Sequence, residues 1–311
     1  MIKYLSVCSG IEAASVAWNS FDFQAVGFSE VDAYPSAVLA HHYPGVSNLG
    51  DMVENDKWDM GEFDLLVGGT PCQSFSVNGL RKGFDDDRGN LALTYCLILA
   101  RRRPRWFIWE NVPGVLSSSG GRDFYCLTRA MAELGYGFCY RVLDARHFGV
   151  PQNRRRIFIV GYLGNYRPAA EVLFEPESMC GLSDSHGETS QDKSDGTTAI
   201  DRSTQSNCKI FRQLRTNCYR DDGRSSTLAA RDYKSPRDLV LSNGKLRKLT
   251  PREYERLMGF PDDYTLVPFH KYQASELPDN HRYKALGNSM AVPVMRWLGK
   301  RIDFVNRKST F

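Results

Sequence analysis

A chain of 311 residues with a formal net charge of +4 is long enough for a large core and suggests two domains. No apolar run approaches the length that spans a bilayer, and Met1-Ile2-Lys3-Tyr4-Leu5-Ser6 lacks the apolar stretch of a secretory signal. The eight cysteines form no Cys-x-x-Cys pair and have no histidine spacing suited to zinc. A soluble cytoplasmic protein with reduced thiols, no metal and no membrane contact is therefore expected. Charge gathers in Arg101-Arg102-Arg103-Pro104-Arg105 and in Arg154-Arg155-Arg156, blocks that can meet phosphates, although the first is expected to be a solvated face.

In chain order, Tyr4 to Val7 reads as a strand, followed by the turn Cys8-Ser9-Gly10-Ile11 and a small-residue helix from Glu12 to Trp18. Gly10 lets the backbone approach a ligand. A second strand, Ala25 to Phe28, leads to Glu30, twenty positions after Gly10, the spacing at which nucleotide-binding units place an acid for ribose hydroxyls. A helix capped by Asp32 follows, and Gly50-Asp51-Met52 offers a second acid, either a helix cap or a cofactor contact.

Asp64-Leu65-Leu66-Val67-Gly68-Gly69-Thr70-Pro71-Cys72 is an apolar run that breaks into glycines and presents one cysteine. It reads as a buried parallel strand whose loop leaves at the edge where α/β sheets carry their chemistry. Cys72 is either a nucleophile or a small buried hydrophobe. The polar, glycine-punctuated stretch 76–89 is longer than a connection needs and suggests a closing lid. After a helix from Asn90 to Arg103, Trp106 to Trp109 is another short strand, ending at Glu110. An acid, a thiol and an acid then share one crevice, and the tryptophan and phenylalanine beside Glu110 favour its protonated form by desolvation.

Arg122 to Leu134 is a helix closed by Gly135, and strands follow at Tyr140 to Leu143 and Arg156 to Val160. If the arginine run enters the second strand, alternation points Arg154 and Arg156 to one face, a fork suited to a carboxylate or phosphate. Residues 178–208 are polar, and 209–243 mixes arginine and lysine with short strand-like pieces, which suggests a smaller domain of loops and short strands. Its Arg215, Arg220, Arg224 and Arg231, interleaved with Asn217, Tyr219, Thr227 and Tyr233, suit base edges and phosphates, or equally an ordinary polar surface. Thr250-Pro251-Arg252-Glu253 is a capping box whose helix Gly259 stops, and Leu286-Gly287-Asn288-Ser289 precedes an amphipathic helix from Val294 to Phe304.

Together these residues resemble the C5-cytosine DNA methyltransferases. Cys8-Ser9-Gly10 resembles the cofactor turn, Glu30 the ribose acid, Asp51 the adenine contact, Pro71-Cys72-Gln73 the nucleophile motif and Glu110-Asn111-Val112 the acid motif. Gln152 to Arg156 resembles the Gln-x-Arg-x-Arg motif, and Arg247 to Glu253 with Gly287-Asn288-Ser289 the C-terminal motifs. The set runs in family order and leaves only about 164–245 as a variable region. Departures are Cys8 and Thr70, where the family usually has phenylalanine, and Glu12-Ala13, where it usually has Gly-Gly.

The resemblance implies an α/β fold: a Rossmann-like S-adenosylmethionine-dependent methyltransferase sheet with helices on both faces, plus a smaller loop-rich β domain for target recognition. It implies a catalytic domain of 1–165 and 285–311 around a target domain of 166–284. It also implies methyl transfer from S-adenosylmethionine, with S-adenosylhomocysteine as product, to carbon 5 of a flipped cytosine in double-stranded DNA through a covalent Cys72 adduct. A transfer-RNA cytosine methyltransferase is the alternative. Catalysis falls to Cys72, Glu110, Arg154 and Arg156, and cofactor binding to Ser9, Gly10, Ile11, Glu30, Val31, Asp51, Met52, Pro71, Asn288 and Ser289. DNA contacts fall to Gln73, Ser76, Asn78, Lys82, Arg88, Arg220, Arg224, Thr227 and Arg231. A monomer from a bacterial or phage restriction-modification setting is expected.

Overall fold

The computed structural model describes residues 1–71, 91–174, 209–215, 218–234, 237–242 and 244–308. The chain divides into two compact units, Met1–Leu143 with Arg155–Leu173 and Met295–Phe311, and Asp144–Arg154 with Phe174–Val294.

In the first unit β1 (Ile2–Val7), β2 (Phe23–Ser29), β3 (Leu65–Gly68), β4 (Trp106–Asn111), β5 (Tyr136–Asp144) and β6 (Arg155–Leu163) form one sheet in the order β2-β1-β3-β4-β6-β5. The pairings β1–β2, β1–β3 and β3–β4 are parallel, whereas β6 runs antiparallel to β4, with Glu110 opposite Phe158. Chain reversal after β2 and β3 is supplied by helices, as parallel strands require.

Alternation along the strands sorts the core into two layers. Leu5, Val7, Leu66, Phe107 and Trp109 pack with Leu93, Cys96 and Leu99 of α2 (Leu91–Arg102) and with Leu127 and Met131 of α3 (Arg122–Glu133). On the other face Tyr4 meets Trp18 of α1 (Ala13–Trp18) edge-on at 5.0 Å. There the Trp18 indole donates to the Met295 carbonyl at 2.7 Å, on the last helix, Val292–Lys308. A Cβ at Gly299 would stand 2.2 Å from that indole nitrogen, so only glycine lets the helix approach so closely. Helices therefore cover both faces, as expected. Arg101, Arg102 and Arg103 are not merely solvated: they donate to Asn55 Oδ1, the Trp58 carbonyl and the Leu134 carbonyl.

In the second unit β7 (Lys209–Arg215), β8 (Cys218–Arg220), β9 (Leu239–Ser242) and β10 (Lys245–Lys248) form an antiparallel sheet in the order β10-β9-β7-β8. The buried Asp238 accepts from the Gln213 and Ser226 amides and ties the sheet to the loop beside it. The capping box forms as its spacing predicts, Thr250 and Glu253 satisfying each other's backbone at the start of Pro251–Met258, with Gly259 left-handed at its end. Buried Glu255 and Arg282 pair at 3.0 Å and share Thr265, so neither charge is left alone.

Candidate active site

The turn after β1 folds through three left-handed residues, Cys8 (φ 48°), Gly10 (φ 57°) and Glu12 (φ 62°). Ser9 N–H donates to the Ser29 carbonyl and Gly10 N–H to Glu30 Oε2 at 2.8 Å, while Asp32 N–H donates to Glu30 Oε1 at 2.7 Å. One acid thus staples the turn to the end of β2, and each of its oxygens has lone-pair capacity beyond the bond it makes there. Nothing stands within 4 Å of where a Cβ on Gly10 or Gly50 would sit. The backbone at both turns is open to a flat or anionic group, so the residues present fit an adenosyl cofactor.

Asn48 completes this edge, and nothing in the sequence pointed to it. Its side-chain oxygen accepts from the Glu30 and Gly50 amides, and its amide group donates to the Glu30 carbonyl and Ser36 Oγ. All the bonding capacity of one amide stitches Glu30 to the turn before Asp51. Asp51 itself caps the short turn Met52–Glu54 through Val53 N–H, which realises the cap reading and leaves the carboxylate exposed. Among the other expected cofactor residues, Val31 is 71% exposed, an unusual position for valine, whereas the Ile11 and Met52 side chains are buried in the core. Met52 Sδ lies 3.5 Å from Cys8 Sγ, and burial, then the charges of Glu30 and Asp51, push the Cys8 thiol up to about 12. Cys8 is therefore a thiol at neutral pH and no nucleophile.

Glu12 holds a left-handed conformation, φ 62°, that glycine adopts more readily. Its Oε1 accepts from Ser15 N–H and Ser15 Oγ at 3.1 Å each, capping α1, and the whole side chain is buried. Burial raises the carboxyl from the usual 4.5 to about 7, against the opposing hydrogen bonds of Ser6 and Ser15. The folded state binds the proton more tightly than the unfolded one. Stability is therefore greatest below about pH 4.5 and declines as pH rises toward about 7, by roughly 3 kcal/mol from this group. Glu12→Gln removes that slope. Thermal melts of wild type and variant between pH 5 and 8 should converge at the acid end and separate by several degrees at the alkaline end, the variant melting higher. A constant difference would discard the buried, proton-binding carboxyl.

On β4, Glu110 Oε1 lies 3.1 Å from Arg156 Nε of β6, with the two side chains only 12% and 15% exposed. The flanking residues face the other way. Trp109 Nε1 donates to Thr70 Oγ1 at 3.0 Å and Asn111 Nδ2 to the Thr70 carbonyl at 2.9 Å. The chain passes Thr70 and Pro71 and enters Cys72, which with Gln73, Ser76, Asn78, Lys82 and Arg88 lies outside the described residues.

The expected fork of Arg154 and Arg156 does not form. β6 begins at Arg155, and the buried Arg154 guanidinium donates to the carbonyls of Leu228, Gly287 and Ser289 in the second unit. These bonds tie Nη1 and Nη2 of Arg154 to backbone of its own unit. Gln152 is likewise buried and donates to the Leu257 carbonyl at 2.9 Å. One sequence motif thus serves two ends: Gln152 and Arg154 build the second unit, and Arg156 meets the acid. In that unit Asn288 is exposed and Ser289 buried; Arg220 and Arg231 are exposed, and Arg224 and Thr227 half-buried. Thr227 spends its hydroxyl on the Asn153 carbonyl, which removes its donor from base reading.

A doubly covered, mostly parallel sheet in this strand order, with a glycine turn and acids at the ends of neighbouring strands, is the architecture of the Rossmann-like methyltransferases. The C-5 cytosine-specific DNA methylase family matches residues 2–303, and the chain belongs to that family of DNA (cytosine-5-)-methyltransferases. It is 30% identical to the Type II methyltransferase M.NlaX of Neisseria lactamica over 97% of this chain and 96% of that protein. It is 32% identical to a DNA N-6-adenine-methyltransferase of Escherichia phage P1 over 96% of this chain, spanning 61% of that relative's length. The fold is shared with the S. pombe Dnmt2 methyltransferase, at TM-score 0.68 and 19% identity, with 100% of both chains covered. No helix among the described residues is long and apolar enough to cross a membrane.

Proposed function

We propose that this chain methylates carbon 5 of cytosine in a specific double-stranded DNA sequence, with the base flipped out of the helix and bound covalently to Cys72. The observation that carries this reading is the Glu110–Arg156 pair, part-buried at a strand end, on the strand that also anchors Thr70, two residues before Cys72. Carbon 5 is a poor nucleophile. Bonding of the Cys72 thiolate to carbon 6 makes the ring enamine-like, the gain that covalent catalysis offers. Glu110, oriented by Arg156, shares a proton with ring nitrogen 3 and neutralises the charge that addition places on the ring. Once carbon 5 has gained the methyl group, loss of its proton and departure of the Cys72 thiolate restore the aromatic ring and the free enzyme.

S-adenosylmethionine, when bound, supplies an electrophilic methyl group. Ser9, Gly10, Glu30 and Asp51 hold it in this reading, Glu30 through the ribose hydroxyls and the Gly10 backbone through close approach. In this reading the first unit is the catalytic domain and the second selects the DNA target, where exposed Arg220 and Arg231 are available to phosphates or base edges. A base whose carbons 5 and 6 are to be attacked must leave the stack, since neighbouring bases cover both faces of its ring within a duplex.

The test is to incubate the full chain and tritiated S-adenosylmethionine with unmethylated plasmid and, separately, with transfer RNA, and to identify the labelled nucleoside. Label in 5-methyldeoxycytidine is expected. Label in N6-methyladenine, as the phage relative's name suggests for that protein, or in RNA alone, would overturn the proposal.

A further inference from the structure

We propose that Thr70 and Trp109 form a positioning pair that fixes where the chain enters the nucleophile; the inference rests on the assignment of Cys72 above. β3 pairs with β4 only as far as Gly68 opposite Trp109. Beyond that point Gly69, Thr70 and Pro71 continue along β4 without a ladder, and two side chains take the ladder's place. Asn111 Nδ2 holds the Thr70 carbonyl at 2.9 Å, and its Oδ1 accepts from Val112 N–H at 2.8 Å. That bond reads backbone and would accept any residue at position 70.

The Trp109 bond is different, because it reads a hydroxyl. Trp109 is fully buried and Thr70 nearly so, and the indole N–H donates to Thr70 Oγ1 at 3.0 Å. A valine there keeps the shape and removes the acceptor, leaving a buried donor unsatisfied. Alternation puts Trp109 and Asn111 on one face of β4 and Glu110 on the other, where Arg156 meets it. The strand that carries the acid therefore grips the cysteine's approach from both sides of that acid. Since a misplacement near 1 Å costs about a hundredfold in rate, a bond two residues from the nucleophile controls the chemical step.

The experiment compares Thr70→Val, Thr70→Ser, Trp109→Phe and the Thr70→Val/Trp109→Phe double variant with wild type. Single-turnover methylation of duplex DNA is followed beside calorimetric binding of S-adenosylhomocysteine and thermal melting. Thr70→Val and Trp109→Phe are expected to slow the single turnover by about tenfold to a hundredfold. S-adenosylhomocysteine and duplex affinities should stay within about twofold and Thr70→Ser within about threefold of wild type, and the double variant should be no slower than the slower single one, the non-additivity of a shared bond. An unchanged single-turnover rate in Thr70→Val, or an equal loss in Thr70→Ser, overturns the proposal. So does a lowered melting point with an unchanged rate, the result of a merely satisfied indole. If Thr70→Val fails to fold, Trp109→Phe decides by the same readouts. Wild type that forms no 5-methylcytosine overturns the functional reading, whereas active wild type with an equally active Thr70→Val overturns the positioning pair alone.

Discussion

Cys72→Ala is expected to lower methylation by roughly four orders of magnitude or more while duplex binding persists. Without sulfur at carbon 6 the cytosine ring has no route to a nucleophilic carbon 5, and the thiols of Cys8, Cys96 and Cys139 are ill suited to replace it. Burial pushes Cys8 and Cys96 up to about 12 and raises Cys139, and a thiol that stays protonated does not add to a ring. Cys72→Ser tests the same step from the other side, since a hydroxyl there keeps the hydrogen bonding and loses the nucleophilicity. The measurement is single-turnover methylation, together with a denaturing gel for the covalent complex on a duplex carrying 5-fluorocytosine, whose fluorine cannot leave as the proton does. Wild type should be retained on the DNA and both variants released. A Cys72→Ala enzyme turning over near the wild-type rate would remove the cysteine from the mechanism.

The two halves of this chemistry were not equally legible in the sequence. The Gly10–Glu30 turn was, because it is local: Gly10 needs a left-handed backbone, Glu30 follows at the spacing of one strand-helix-strand unit, and their hydrogen bond at 2.8 Å follows from both. The Thr250–Glu253 box was legible for the same reason, since four consecutive residues satisfy each other. What periodicity does not encode is pairing between distant segments. It gave β6 as a strand but not its antiparallel place beside β4. That placement decides which arginine reaches Glu110. It also gave one arginine run where the fold makes two uses of it, because alternation holds only within a strand and β6 starts one residue after Arg154. Asn48 and the Trp109–Thr70 bond were invisible. An exposed asparagine and a threonine have no pattern until the turns they join are folded against each other.

Glu110→Gln is expected to slow methyl transfer by about two to three orders of magnitude, within the range that positioned acids and bases contribute, with S-adenosylhomocysteine affinity preserved. The amide keeps the size of the side chain and can still donate a hydrogen bond toward ring nitrogen 3. It cannot pass a proton, so the charge generated by thiolate addition stays on the ring. The substitution also dissolves the 3.1 Å pair with Arg156 and leaves a guanidinium only 15% exposed without its carboxylate, a cost that falls on stability as well as on rate. The two effects separate in a cycle. Arg156→Gln alone frees a carboxylate that is no longer oriented, and the double variant Glu110→Gln/Arg156→Gln should recover melting temperature relative to the single variants without recovering rate. If the acid acts only by holding the arginine, the double variant and Arg156→Gln will instead methylate at the same speed, and the proton-sharing role is lost. Measured with single-turnover kinetics across pH, the comparison asks whether the carboxyl is a chemical participant or a strut, and the part-buried geometry at the end of β4 argues for the former.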